Sequence, residues 1–337
     1  MDFSSLLSAF GSAKTPYLVG VLLGTLVTYA LRAWRWGFLL APLARVPFRR
    51  LFSVTWIGFM AGLLIPRAGE VVRPYLIARG HSLKTSGCFA SIVLERIVDL
   101  LTVLLLVGAY AYVLPLPAEQ TQGPVLGMLK VGGGLAGLGA LAVLGFLIYL
   151  KMREASALRI LDWFAGLLPS RFSGPVKSAL RAFTEGLAVL RASPKHLLAI
   201  MGQSVLLWLS ISVTFYWNNL AFGVNLPFHA TFLLIGFLTV GVAVPTPGMV
   251  GGFHEAYLLA LTQAFAIDRN TAAAVAMAGH ALSNLPVLVL GLFFLGREGL
   301  TVSRMAHIAD ESARPEEDRE VDALTSAAPP GAEGRSL

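Results

Sequence analysis

Three charged side chains, Glu95, Arg96 and Asp99, lie inside an apolar run that extends from about 88 to 114. Glu95 and Asp99 are four residues apart, so they share one face of a helix, and Arg96 can reach Asp99 from one turn away. At a rise of 1.5 Å per residue, the group sits roughly 10–18 Å along a membrane-crossing helix. An ionisable group at that depth costs at least ~2.5 kcal/mol unless it is paired or hydrated. The triplet therefore reads either as a bracing ion network or as the wall of a polar cavity. Related residue types cluster at two Pro/Gly breaks. The first, Pro66-Arg67-Ala68-Gly69-Glu70, is followed by Arg73. Two arginines beside the free amides of a helix starting near Gly69 suit an anion or phosphate. The second break runs Pro245-Thr246-Pro247-Gly248-Met249-Val250-Gly251-Gly252-Phe253-His254-Glu255. It supplies irregular backbone and two titratable groups. His280 and Asn284, four apart in the last apolar run, face it if the two halves repeat; His280 reads first as a packing residue. We take Arg67, Arg73 and Arg96 as candidate ligands of an anionic headgroup. Glu70, Glu95, Asp99, His254 and Glu255 are candidate network or coupling groups. Pro66, Gly69, Pro245, Pro247, Gly248, Gly251 and Gly252 are the backbone of the turns.

Bond-making chemistry finds little support. His254-Glu255 lacks the second histidine of a zinc-protease helix, and neither a Gly-x-Ser-x-Gly elbow nor a phosphate-cradling Gly-x-x-x-x-Gly-Lys-Ser/Thr loop occurs. Cys88 is the only cysteine, which removes an intrachain disulfide and a thiolate metal framework. We expect no catalytic residue, metal or cofactor, and no nucleic-acid partner.

The elements that must position these residues are apolar helices. With 56% hydrophobic and 13% charged residues and a mean hydropathy of +0.71, the chain of 337 residues has too little polar surface for a soluble globule. An all-α, polytopic membrane bundle follows. Windows of ~20 residues, enough to cross ~30 Å of hydrocarbon, place spans at about 17–40, 88–114, 125–150, 196–217 and 272–296. Two shorter stretches, Leu51–Ile65 and Phe228–Val244, end at the breaks. Trp34 and Trp36 with their flanking arginines read as interfacial anchors. Gly20 with Gly24, and Gly133 with Gly137, allow close helix approach. Residues 151–195 are basic and amphipathic, and the stretch from 301 to 337 is polar, acidic and expected to be disordered. Four of the 26 basic and eight of the 19 acidic residues lie in 303–337, leaving 22 basic against 11 acidic in the body. That basic excess suits anionic lipid.

Orientation follows the arginines and lysines. The stretch 151–195 belongs in the cytoplasm, and the loops at 115–124 and 218–227, with no basic residue, belong outside. Basic residues flank the first interrupted stretch on both sides, which a re-entrant hairpin satisfies and a full crossing does not. Corresponding features recur at near-constant offset: span starts 17 and 196 (179), short stretches 51 and 228 (177), prolines 66 and 247 (181), following spans 88 and 272 (184). We expect a membrane domain over 1–300 built as two inverted repeats, about 15–114 and 196–297, each with a re-entrant or broken-helix hairpin, joined by the span 125–150 and the segment 151–195. Paired broken helices are the sequence pointer to a binding site in transporters.

The motifs Pro66-Arg67-Ala68-Gly69-Glu70-Val71-Val72-Arg73, Glu95-Arg96-Ile97-Val98-Asp99 and Pro247-Gly248-Met249-Val250-Gly251-Gly252-Phe253-His254-Glu255, with Arg35-Trp36 after the first span, also carry a resemblance. In order and spacing they resemble the lysylphosphatidylglycerol synthase transmembrane-region family, also described as flippase-like membrane proteins. The resemblance covers roughly residues 10–300. It implies a multi-pass protein of the bacterial cytoplasmic membrane, similar to the lipid-translocating half of multipeptide-resistance proteins and to archaeal proteins linked to dolichol-borne sugars; the arginine and lysine topology puts the C-terminal tail inside. The chain departs from the family pattern in having Ala61-Gly62-Leu63-Leu64-Ile65, without asparagine, before the first turn. Met249 stands where a second glycine commonly follows Pro-Gly. The aminoacyl-transfer domain of the fused synthases is not expected in the tail. The expected activity is movement of an anionic phospholipid or polyprenyl-phosphate lipid between leaflets. The alternatives are a non-transporting accessory subunit of a lipid or envelope glycoconjugate pathway, with envelope-biosynthesis proteins as partners, and an intramembrane lipid-linked transferase.

Overall fold

The computed structural model describes residues 11–66, 68–114, 123–152, 193–243 and 246–306. Arg67, Pro245 and nearly all of the amphipathic stretch lie outside these residues. The described residues are helical and contain no strand. The long helices are α1 (Thr15–Leu40), α4 (Thr85–Tyr112), α5 (Gly123–Met152), α6 (Pro194–Ala221) and α9 (Arg269–Arg297). Between them lie the shorter α2 (Phe48–Leu64), α3 (Ala68–His81), α7 (Ala230–Gly241) and α8 (Gly252–Leu259), with a 3₁₀ turn at Pro247–Met249 and a π turn at Ala260–Ala264. Helices α1, α6 and α9 are long and apolar enough to cross a membrane. Helix α4 is as long, with 28 residues, but carries the Glu95, Arg96, Asp99 triplet. The outward faces of α1 and α9 expose Leu23, Val27, Leu285, Val289 and Phe293, a surface matched to lipid chains and a liability in water. The protein is an all-α membrane protein.

Local sequence explains the ends. Pro16 opens α1, where a missing amide hydrogen costs nothing. Asp268 caps α9 by accepting a 2.9 Å bond from the Thr271 amide, which holds its carboxyl below the usual carboxylate range. At 17 and 12 residues, α2 and α7 reach only roughly 26 and 18 Å, short of the hydrocarbon thickness.

Each short helix folds back on its successor. Arg50 donates to the Leu76 carbonyl across α2 and α3, and a Cβ on Gly69 would collide with the Gly58 carbonyl. In the other half, a Cβ on Gly241 or Gly252 would collide with the opposite glycine's carbonyl. The first hairpin opens beside the end of α9, where Arg50 pairs with Glu298 and Ser53 donates to the same carboxylate at 3.4 Å. The second opens beside the far end of α4, with the His229 and Tyr110 rings 5.9 Å apart. The two hairpins therefore open toward opposite ends of the bundle. The 3₁₀ turn of the second packs beside α2. Within that turn region Gly251 has φ 91° and ψ −73°, a conformation that favours glycine, and Met249 is left-handed at φ 56°.

Helices α1 and α6 pack antiparallel and tie the halves together. Thr28 and Ser210 share a 2.6 Å hydrogen bond at the centre, and the Lys14 amide donates to the Ala221 carbonyl at one end. At the other end a His196 ring nitrogen bonds the Phe38 carbonyl at 2.9 Å. Two apolar clusters fill the interior. One gathers Trp36, Trp56, Met60 and Ile77 around the first hairpin, and the other gathers Tyr110, Leu234, Tyr257 and Val275 around the second. Trp36 is therefore core and not an interfacial anchor, whereas Trp34 is exposed. Beyond α9, residues 302–306 form a further helical turn with Met305 buried in the first cluster, where the sequence reads as tail.

Candidate functional site

The carboxylates of α4 are the centre of a buried ion network. Glu95 and Asp99 point from one face into the interior, and both are buried. Arg73, brought in by α3, grips Glu95 with two parallel bonds, Nη1 to Oε1 and Nη2 to Oε2, each 3.0 Å. This fork matches the planar guanidinium to the carboxylate. Its other face stacks on Trp36, with the guanidinium carbon 4.3 Å from the ring centroid. Gly58 makes room for the Arg73 stem; a Cβ there would collide with it.

Asp99 is held by a residue the sequence reading placed at the interface. Arg35 of α1, fully buried, donates to Asp99 Oδ1 at 2.6 Å and to Ser204 Oγ at 2.9 Å, and its Nη2 lies 3.7 Å from Glu95 Oε1. The Trp208 indole donates to the same Asp99 oxygen at 3.0 Å. Arg35 is thus a structural cation and not an interfacial anchor. The signal that finds it is the polar series Thr25, Thr28, Arg32, Arg35, whose steps of three and four put all of them on one face of α1.

Arg96 occupies the loose edge of the network. It is 43% exposed, with contacts of 3.5 Å to Glu95, 3.7 Å to Glu70 and 3.8 Å to Asp99. Of the three arginines expected to meet a headgroup, Arg73 is buried and bonded to Glu95 through both Nη atoms, Arg96 is accessible, and Arg67 lies outside the described residues. Among the described residues Glu70, half exposed, reaches the network only through Arg96.

The second-turn residues form a separate group. His280 of α9 bonds the Gly248 carbonyl through Nε2 at 2.7 Å, and its ring lies 4.6 Å from that of His254. Asn284 donates to the His280 carbonyl at 2.9 Å, and Glu255 is exposed on α8. The His280 and Asn284 pair does face the turn. Between the two groups lies a half-open cavity of about 210 Å³. Trp208, the Asp99 donor, lines one side, and Met249, Phe253 and Asn284 line the other.

The profile of the lysylphosphatidylglycerol synthase transmembrane region matches residues 1–291. The chain belongs to that family. Two curated relatives match as well. It is 24% identical over 316 residues to a protein named glycosyltransferase AglD of Haloferax volcanii, a match covering 87% of this chain and 50% of the relative. It is 26% identical over 277 residues to a UPF0104 membrane protein of Methanothermobacter thermautotrophicus, covering 79% of this chain and 78% of the relative. The chain therefore spans about half the length of the first relative and most of the second. No solved structure matches it. Family membership agrees with the apolar helices in making this a membrane protein.

Proposed function

We propose that this protein moves an amphiphile with an anionic headgroup, a phospholipid or a polyprenyl-phosphate lipid, between the leaflets of a bacterial cytoplasmic membrane, with its C-terminal tail inside. The observation that carries the reading is a charge network beside a cavity that the second hairpin lines together with α1, α6 and α9, in a bundle whose two broken-helix hairpins open toward opposite ends. Irregular backbone at membrane depth is tolerated where protein or a water-filled space supplies partners, and paired breaks of this kind line the substrate path of transporters built from inverted repeats. The matching glycine contacts, 58 to 69 and 241 to 252, support treating the halves as such repeats.

The roles divide by exposure. Arg73 and Arg35 brace Glu95 and Asp99 through both oxygens of Glu95 and through Oδ1 of Asp99, while Asp99 Oδ2 has no hydrogen-bond partner among the described residues. Arg96 is the cation that an incoming phosphate can draw away from its long contacts with Glu70, Glu95 and Asp99. His254 and Glu255, on the helix that follows the second turn, are the titratable groups available for coupling. We take the chain to act without making or breaking covalent bonds. The glycosyltransferase name of one relative belongs to a protein of which only half is matched, so a transferase is the second reading.

The test is a leaflet-accessibility assay on the purified chain in vesicles carrying labelled anionic or zwitterionic lipid. Movement of the anionic lipid, reduced by Arg96→Ala through weaker binding and by Glu255→Gln with binding retained, supports the proposal. Normal movement in both variants, or none in the wild type, would leave the accessory-subunit reading in front. A new labelled product from a lipid-linked sugar would install the transferase reading.

A further inference from the structure

Arg32 lies one turn before Arg35 on α1 and lines the cavity between α1, α6, α7 and the second turn. Its Nε and Nη1 are out of contact with solvent and have no hydrogen-bond partner. Arg35, Arg73 and Arg96 each have a carboxylate within 4 Å; among the described residues Arg32 has none. The charge count agrees with the geometry. Among the described residues four arginines, Arg32, Arg35, Arg73 and Arg96, meet three carboxylates, Glu70, Glu95 and Asp99, and the cation with no carboxylate within 4 Å is the one facing the cavity. Its guanidinium is held by rings, with its carbon 4.9 Å from the Phe59 centroid and 6.0 Å from that of Tyr29. Aromatic faces orient a cation without neutralising it.

Arg32 as a whole is partly buried, and guanidinium nitrogens shielded from water without an anion are costly in a low-dielectric interior. We infer that the cavity is an anion site with Arg32 as its principal donor, and that its occupant is the phosphate of a membrane lipid. The 210 Å³ volume far exceeds the roughly 10–15 Å³ that a single water needs. Ser283 and Asn284 offer further polar groups, while Ile235, Leu238, Val242 and Phe253 make the rest of the wall apolar. A free phosphate would meet that apolar wall with a hydrated surface; a lipid phosphate brings its own apolar neighbour. The assignment deepens the translocation reading and rests on it for the purpose of the site, though binding and movement can be separated.

The experiment uses the full chain in zwitterionic nanodiscs, titrated with phosphatidylglycerol or with inorganic phosphate, for wild type, Arg32→Gln and Arg35→Gln. Losing a charge-assisted contact should weaken phosphatidylglycerol binding roughly tenfold or more in Arg32→Gln. Its melting temperature without anionic lipid should equal or exceed that of wild type, because an unpaired charge has been removed. Arg35→Gln should melt lower in every condition. Normal phosphatidylglycerol binding by Arg32→Gln overturns the site, and so does a fall in its lipid-free melting temperature as large as that of Arg35→Gln, which would make Arg32 a structural cation. Stabilisation of wild type by inorganic phosphate equal to that by phosphatidylglycerol overturns the lipid as occupant. Wild type that binds through Arg32 yet moves no lipid in vesicles supports the site and defeats the translocation reading alone.

Discussion

Removing Arg73 leaves the buried Glu95 carboxylate without its two-pronged partner, whereas removing Arg96 takes away contacts of 3.5 Å and longer. Stranding a buried charge costs ~3–5 kcal/mol, and a solvent-screened pair is worth ~0–1. We therefore expect Arg73→Ala to lower the melting temperature in detergent severely and Arg96→Ala only slightly. Arg73→Lys should recover little, since a point charge does not replace the fork. Equal melting of the two alanine variants would remove the division between brace and headgroup ligand. Glu95 and Asp99 were legible in the sequence because charge inside a long apolar run has few uses, and their spacing fixes a shared face. Arg35 was not, because an arginine between tryptophans near a helix end has the composition of an interfacial anchor. Only its register with Thr25, Thr28 and Arg32, together with the facing Ser204 and Trp208 on α6, distinguishes it, and that facing is long-range information.

The hairpins show the same division at the scale of elements. Proline and glycine at 66–69 and 245–252 marked both breaks, and the five long spans were found within a few residues, because periodic burial and breaker residues act locally. The partner of each short helix is set by close backbone approach, which no pattern in the chain displays. Gly69→Ala and Gly252→Ala should each force a hairpin apart, at about 1–3 kcal/mol as overpacking. Alanine at Gly137, with open space around its Cβ position, should be nearly silent in the same melting series. Asp268 provides a titratable check on α9. Its folded carboxyl is depressed by the Thr271 amide, so its stabilisation is fully present above the unfolded value and is lost as pH falls through the lower folded value. Asp268→Ala should cost about 0.5–1 kcal/mol at neutral pH, and the gap to wild type should close in acid. A gap that persists there would mean the cap acts through something other than the ionised carboxylate.

Across the whole molecule, the Arg50 to Glu298 ion pair puts the mouth of the first hairpin and the end of α9 at one end of the bundle, with α4 beginning there at Thr85. Cys88 is buried and can be replaced to give a cysteine-free background. Single cysteines at Arg50, Lys84 and Glu298 should then react with an impermeant thiol reagent from one side of the membrane, and those at Asn225 and Asp268 from the other. Opposite labelling of Arg50 and Lys84 would make α2 a complete crossing and end the comparison with inverted-repeat transporters. The order of synthesis adds a constraint on how the network forms. Asp99 meets Arg35 from 64 residues behind it, but its Trp208 donor lies 109 residues ahead. At ribosomal speeds of about 5–20 residues per second, that donor is on the order of 5–20 s away when Asp99 is made. During that interval Arg35, the cation nearest Asp99, is already made, with Arg96 beside it, so it acts as a placeholder that lets the nascent first half carry an aspartate through lipid before the second half exists.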